Sequence, residues 1–131
     1  MIVQISYAAP VTSLYLDSSG YVQMRLGFGT SDQRTKTSIK TVDNAFLKVL
    51  HLQGVEYNDI EIGDRRIGLI AQEVEGVIPE VVNTNAETGV KSLAYGNMAG
   101  LFVNAIKELN EILLNQQNQI NELKDILKKI I

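Results

Sequence analysis

The sequence predicts an α+β chain: small mixed α/β arms followed by a long C-terminal helix that forms a parallel trimeric coiled coil. Three observations carry this. All ten glycines and both prolines lie before residue 101, so the 31 residues from Leu101 to Ile131 contain no helix breaker. Within that stretch Phe102, Ile106, Leu109, Leu113, Gln116, Ile120, Leu123, Leu127 and Ile130 follow one another in unbroken steps of 4, 3, 4, 3, 4, 3, 4 and 3, the mark of a heptad seam. Before it, short apolar runs alternate with turn-forming clusters, as small strands and short helices require.

The elements follow in order. Ile2, Val3 and Ile5 read as a strand. Leu14-Tyr15-Leu16 and Tyr21 to Leu26 flank the turn Asp17-Ser18-Ser19-Gly20 as a hairpin. Asp43 is placed to N-cap a short helix carrying Ala45, Phe46, Leu47, Val49 and Leu50. From Val55 to Ile70 apolar runs are broken at Asn58-Asp59 and Gly63-Asp64-Arg65-Arg66. Ala71 to Val77 reads as a helix stopped near Pro79. Glu80-Val81-Val82 and Val90 to Leu93 read as strands around the turn Asn83 to Gly89. The last helix would be a rod of roughly 46 Å. With a at Ile106, Leu113, Ile120 and Leu127, the g positions are Ala105, Ile112, Gln119 and Ile126 and the e positions Val103, Asn110, Gln117 and Lys124. Those flanks are nearly uncharged and widen the apolar face, which favours three strands over two, and Gln116 is a polar layer that fixes register. The competing expectation is an amphipathic helix lying on its own domain.

Composition excludes several function classes. Twelve Lys and Arg against fifteen Asp and Glu give a net charge of -3, without the basic excess that phosphate binding uses, so no nucleic-acid partner is expected. The N-terminus has no basic region ahead of its apolar residues and there is no long apolar run, so no membrane partner or secretory signal is expected. Met1 runs directly into alternating apolar residues, as an internal start within a longer polypeptide would. The absence of Cys removes thiolate chemistry and Cys-ligated metals, and the single histidine, His51, cannot form a His-pair site, so no metal and no cofactor are expected. His51, at a helix end, reads as a packing or capping residue. Asn83 to Gly89 alternates oxygen-bearing residues like a calcium loop, but its glycine arrives one position late and Ala94 stands where a bidentate Glu is needed; a plain turn is the better account.

What remains is Ser31-Asp32-Gln33-Arg34-Thr35-Lys36, after Gly27-Phe28-Gly29-Thr30. A serine can be activated by a lysine in place of histidine. On spacing alone the signal is weak, and Ser31 or Asp32 would equally cap a turn.

Together with the helix Ala45 to Leu50, Ile67-Gly68-Leu69-Ile70-Ala71-Gln72-Glu73-Val74, Ile78-Pro79-Glu80-Val81-Val82, Tyr95 and Ala105-Ile106-Lys107-Glu108-Leu109, this block resembles the C-terminal intramolecular-chaperone auto-processing domain of phage tail spikes, tail fibres and neck appendages, a domain found also in myelin regulatory factor. The resemblance spans about residues 31 to 110. It implies a homotrimeric, self-cleaving serine endopeptidase with a Ser31–Lys36 dyad, turning over once in cis at the Thr30–Ser31 bond. Residues 1–30 would be the end of the upstream β stalk of the same polypeptide, residues 31–96 the mixed arms with the cleavage site, and residues 97–131 the trimerisation helix. Gly29 would permit a strained backbone, and Asp32 would orient Lys36 or supply an oxyanion donor, with Arg34 as further support. The setting would be the host cytoplasm during virion assembly, with the domain lost from the mature particle. Two alternatives share most of these features: a trimerisation and folding clamp that never cuts, and a trimer-dependent release domain of a membrane-bound transcription factor.

Overall fold

The computed structural model describes residues 14–16, 22–24 and 29–131, and the strand expected at Ile2 to Ile5 lies outside them. The chain divides into two compact units, Met1–Ile39 and Lys40–Ile131. In the first, β1 (Leu14–Leu16) pairs antiparallel with β2 (Val22–Met24) in the register Leu14 to Met24 and Leu16 to Val22, the hairpin the turn residues call for. A 3-10 turn, Gln33–Thr35, follows.

The second unit starts with α1 (Ala45–Leu50) and continues through two antiparallel hairpins, β3 (Val55–Asn58) with β4 (Arg65–Gly68) and β5 (Val82–Thr84) with β6 (Lys91–Leu93). Between them lie α2 (Ala71–Glu75) and a 3-10 turn at Pro79–Val81; a second 3-10 turn, Tyr95–Met98, leads into α3 (Ala99–Ile130). Pro79 has no N–H to give, so it opens the tight turn Pro79–Val81 and strand pairing begins only at Val82, later than Glu80 as expected. Helix α2 is likewise shorter than expected. Gly76 ends it, and the N–H groups of Val77 and Ile78 both close back on the Val74 carbonyl.

The core of this unit is small. Ala45, Val74, Ile78, Val81, Met98, Leu101 and Ala105 are buried, and Phe46, Val49, Leu69 and Leu93 pack against them. Helix α1 lies against the first turns of α3, with two alanines, Ala45 and Ala105, in the core cluster where small side chains let helices approach. Leu101, Ala105 and Glu108 are spaced i, i+4, i+7 and form one stripe facing α1. The seam residues Phe102, Ile106 and Leu109 lie one residue on, about 100° round the helix, and are exposed. The expectation of a helix lying on its own domain therefore holds only for these first turns. From Leu109 to Ile130 every residue is exposed, a projecting rod of about 33 Å.

The N-cap expected at Asp43 is a correction. Asn44 holds the cap position with φ at 53° and makes no side-chain cap bond. The first turn of α1 is satisfied instead from α3: Ala45 N–H donates to Glu108 Oε1 at 3.0 Å and Phe46 N–H to Glu108 Oε2 at 2.7 Å. A carboxylate is well suited to this end of a helix, where unpaired N–H groups and the helix dipole both favour negative charge.

Candidate functional site

The turn after Thr30 is built by Asp32. Its backbone is extended (φ -65°, ψ 135°) and its carboxylate accepts the Arg34 N–H at 2.8 Å, as an N-cap does. The Thr35 N–H and hydroxyl both donate to the Asp32 carbonyl, at 3.1 and 2.7 Å, and Lys36 N–H donates to the Gln33 carbonyl at 3.0 Å. One tight turn thus folds residue 36 back over residue 31. Lys36 Nζ donates to Ser31 Oγ at 3.0 Å. Both residues, and Thr30 before them, are exposed in the single chain.

Asp32 does not orient Lys36 here. Arg34 takes its carboxylate: Nε lies 3.0 Å from Oδ1 and 3.2 Å from Oδ2, and Nη2 lies 2.7 Å from Oδ2. These hydrogen bonds hold the Asp32 carboxyl below its ordinary value and raise the Arg34 guanidinium. Gly29 lies outside the left-handed region, and a side chain there would meet nothing within 4 Å, so nothing at this position calls for glycine. Among the described residues, positive φ occurs instead at Gly63 and Gly89 and, outside glycine, at Ser38 and Asn44 with φ of 52° and 53°. The cap that was the alternative for this block is real for Asp32, and it coexists with the Ser31–Lys36 contact.

Tyr95 Oη accepts the Leu69 N–H at 2.9 Å. A Cβ at Gly68 would stand 2.7 Å from that hydroxyl and 3.4 Å from the Tyr57 ring, so glycine is what lets Tyr95 reach the backbone. His51 closes α1, its Nδ1 2.7 Å from the Leu47 carbonyl oxygen. The turn expected from Asn83 to Gly89 begins only at Asn85, because Asn83 and Thr84 pair with Ser92 and Lys91 as the end of β5; Asn85 Oδ1 accepts the N–H groups of Glu87 and Thr88, an Asx turn. Sequence reasoning placed Glu108 only within a resembling block and gave it no role, because its two backbone partners lie 62 and 63 residues away.

Along the seam the large apolar side chains stand open: Ile106 is 66%, Leu123 60% and Ile130 75% exposed, and Gln116 is exposed between them. Phe46 and Val49 of α1 join Phe102, Ala105, Ile106 and Leu109 around an apolar groove of about 290 Å³. Among the described residues no helix is long and apolar enough to cross a membrane.

Residues 31–83 match the model of a peptidase family described as the chaperone of endosialidase. The chain carries a domain of that family. The match opens on Ser31 and takes in the turn, α1, Gly68, α2 and the start of β5, while Tyr95 and Glu108 lie beyond it. The chain is also 36% identical over 114 residues to a long tail fiber protein Gp37 of Salmonella phage S16, covering 76% of the chain. It is 39% identical over 88 residues, 61% of the chain, to the long tail fiber proteins Gp37 of Enterobacteria phages K3 and T2. It spans 15% of the first relative's length and 7% of each of the others. The chain thus corresponds to a small part of the length of these long tail fiber proteins.

Proposed function

We propose that the chain is the chaperone end of a phage fibre or spike protein, which trimerises through α3, folds the preceding stalk of the same polypeptide, and then releases itself by cutting Thr30–Ser31. The similarity to tail fiber proteins supports the setting in virion assembly. The exposed heptad seam of α3 supports self-association, since burying apolar side chains of this size is the largest favourable term open to the helix. The observation that carries the cleavage is the 3.0 Å contact between Lys36 Nζ and Ser31 Oγ.

The chemistry follows from position. Ser31 Oγ attacks the Thr30 carbonyl carbon through a five-membered ring, and Lys36 in its neutral form takes the hydroxyl proton. The Thr30–Ser31 C–N bond breaks, that proton passes to the departing Ser31 nitrogen, and Thr30 is left as an ester on Oγ. Water then hydrolyses the ester, giving a Thr30 carboxylate and a free Ser31 with its hydroxyl restored. Nucleophile and carbonyl belong to neighbouring residues, so effective concentration is high without a bound substrate. Lys36 must lose a proton to act as the base, and its exposure in the single chain means that the desolvation which favours neutral lysine comes from assembly. Cutting is then conditional on correct trimer formation, and a slow-folding stalk loses its clamp only when it no longer needs one.

Intact mass spectrometry of the full chain over time tests this. The wild type yields fragments divided between residues 30 and 31, and Ser31→Ala and Lys36→Ala form trimers that stay full length. Cleavage of Ser31→Ala at the wild-type rate overturns the dyad. The exposure of both dyad residues favours one second reading, a clamp that trimerises and never cuts, in which the wild type also stays full length.

A further inference from the structure

The cleavage turn holds a carboxylate whose natural partner would be the lysine. Asp32 sits on the same turn as Lys36, and a carboxylate beside an ammonium favours the charged form, the form that cannot take a proton. Yet among the described residues the one side-chain partner of Lys36 is Ser31 Oγ, at 3.0 Å. Arg34 accounts for the difference. Its Nε and Nη2 engage both Asp32 oxygens in the planar fork that a guanidinium makes and an ammonium cannot, at 2.7 to 3.2 Å.

We infer that Arg34 is a positioning residue that occupies Asp32 and so leaves Lys36 to Ser31. The inference rests on the Ser31–Lys36 cleavage reading and deepens it. Arg34 touches neither the scissile bond nor the nucleophile; it acts through Asp32. Ion pairs this exposed contribute little to stability, so its effect belongs to the rate of cleavage and not to the fold. The charged groups on the turn are Asp32, Arg34 and Lys36, and removing the middle one lets the outer two pair.

The test compares full-length wild type, Arg34→Ala, Arg34→Lys and the double variant Asp32→Asn with Arg34→Ala, followed by intact mass from pH 6 to pH 10. Asn keeps an oxygen for the Arg34 N–H, so the turn keeps its cap while the negative charge is gone. Arg34→Ala is expected to cut about tenfold more slowly at neutral pH, the size of a one-unit change in proton affinity, with the ascending limb of its pH–rate profile moved to higher pH. The double variant recovers to within about threefold of wild type, and Arg34→Lys falls between. Wild-type rates in Arg34→Ala overturn the inference, as does a slow Arg34→Ala with an unmoved pH profile and no recovery in the double variant. A wild-type chain that never cuts overturns the cleavage reading and the inference with it, whereas the preceding outcomes leave the cleavage reading standing.

Discussion

Replacing Glu108 by alanine removes a helix cap supplied from 63 residues away. Helix α1 has six residues, and the first four N–H groups of any helix lack partners within it, so the two that Glu108 accepts are half of that deficit. Losing an ordinary side-chain cap costs about 1 kcal/mol and up to about 2, while single hydrogen bonds to a charged group contribute about 1.5–3 kcal/mol. Here one half-buried carboxylate serves two donors, which places Glu108→Ala at about 2 kcal/mol and Glu108→Gln, with one neutral acceptor left, at about 1 kcal/mol. For a unit the size of residues 40–131 that is a fall in melting midpoint of roughly 8–16 °C for the alanine variant. Calorimetry at matched chain concentration measures it, because self-association also moves the midpoint. Hydrogen exchange at the Ala45 and Phe46 amides gives the local readout. Glu111→Ala, at an exposed position on the same helix, serves as control and stays within about 0.5 kcal/mol of wild type. A Glu108→Ala chain that melts within 2 °C of wild type, with the two amides still protected, would falsify the cap.

Three further outcomes follow from the same geometry. Tyr95→Phe leaves the Leu69 N–H without its acceptor and is expected to lose about 1 kcal/mol by urea unfolding, while Gly68→Ala, which pushes a methyl into the Tyr95 hydroxyl, loses at least as much; an unchanged Gly68→Ala would contradict the close approach. Met98→Ala truncates one of the two largest fully buried side chains among the described residues and is expected to cost about 2–5 kcal/mol in the same assay, against under 0.5 kcal/mol for the exposed Ile60→Ala. The folded Asp32 carboxyl lies below its unfolded value because of Arg34. The contribution of this turn is therefore present above the unfolded value and lost as pH falls through the folded one, so a carbon-detected NMR titration of Asp32 should find its midpoint below 3.8, and a midpoint at or above that value counts against the pairing.

The long helix was the most legible part of the chain, since a 4-3 repeat free of Gly and Pro depends on local geometry alone; only its start differs, with Tyr95–Met98 as a 3-10 turn before Ala99. The pairing of β1 with β2 and the turn around Asn85 were legible for a similar reason, since both are local in the sequence, although Asn83 and Thr84, expected in that turn, belong to β5. Asp43 was the wrong cap because the right one comes from Glu108, and no local pattern reports a contact across most of the second unit. Gly68 and Tyr95 were legible as members of the resembling blocks, but the reason they occur together, a hydroxyl that needs the space of a missing Cβ, emerged only in three dimensions. At the turn after Thr30 the spacing of Ser31 and Lys36 was readable. The pairing of Asp32 with Arg34 was not, because it depends on which of two nearby cations the turn lets the carboxylate reach.

The central claim is that assembly through α3 switches on the cut at Thr30–Ser31. Its most direct measurement is the initial rate at which the fragment beginning at Ser31 appears, by intact mass, across chain concentrations at which sedimentation velocity follows the shift from single chains to trimers. The account predicts a rate per chain that rises steeply with concentration and follows the trimer fraction. A rate per chain that stays constant while sedimentation passes from single chains to trimers, or a trimer that remains full length, would contradict it.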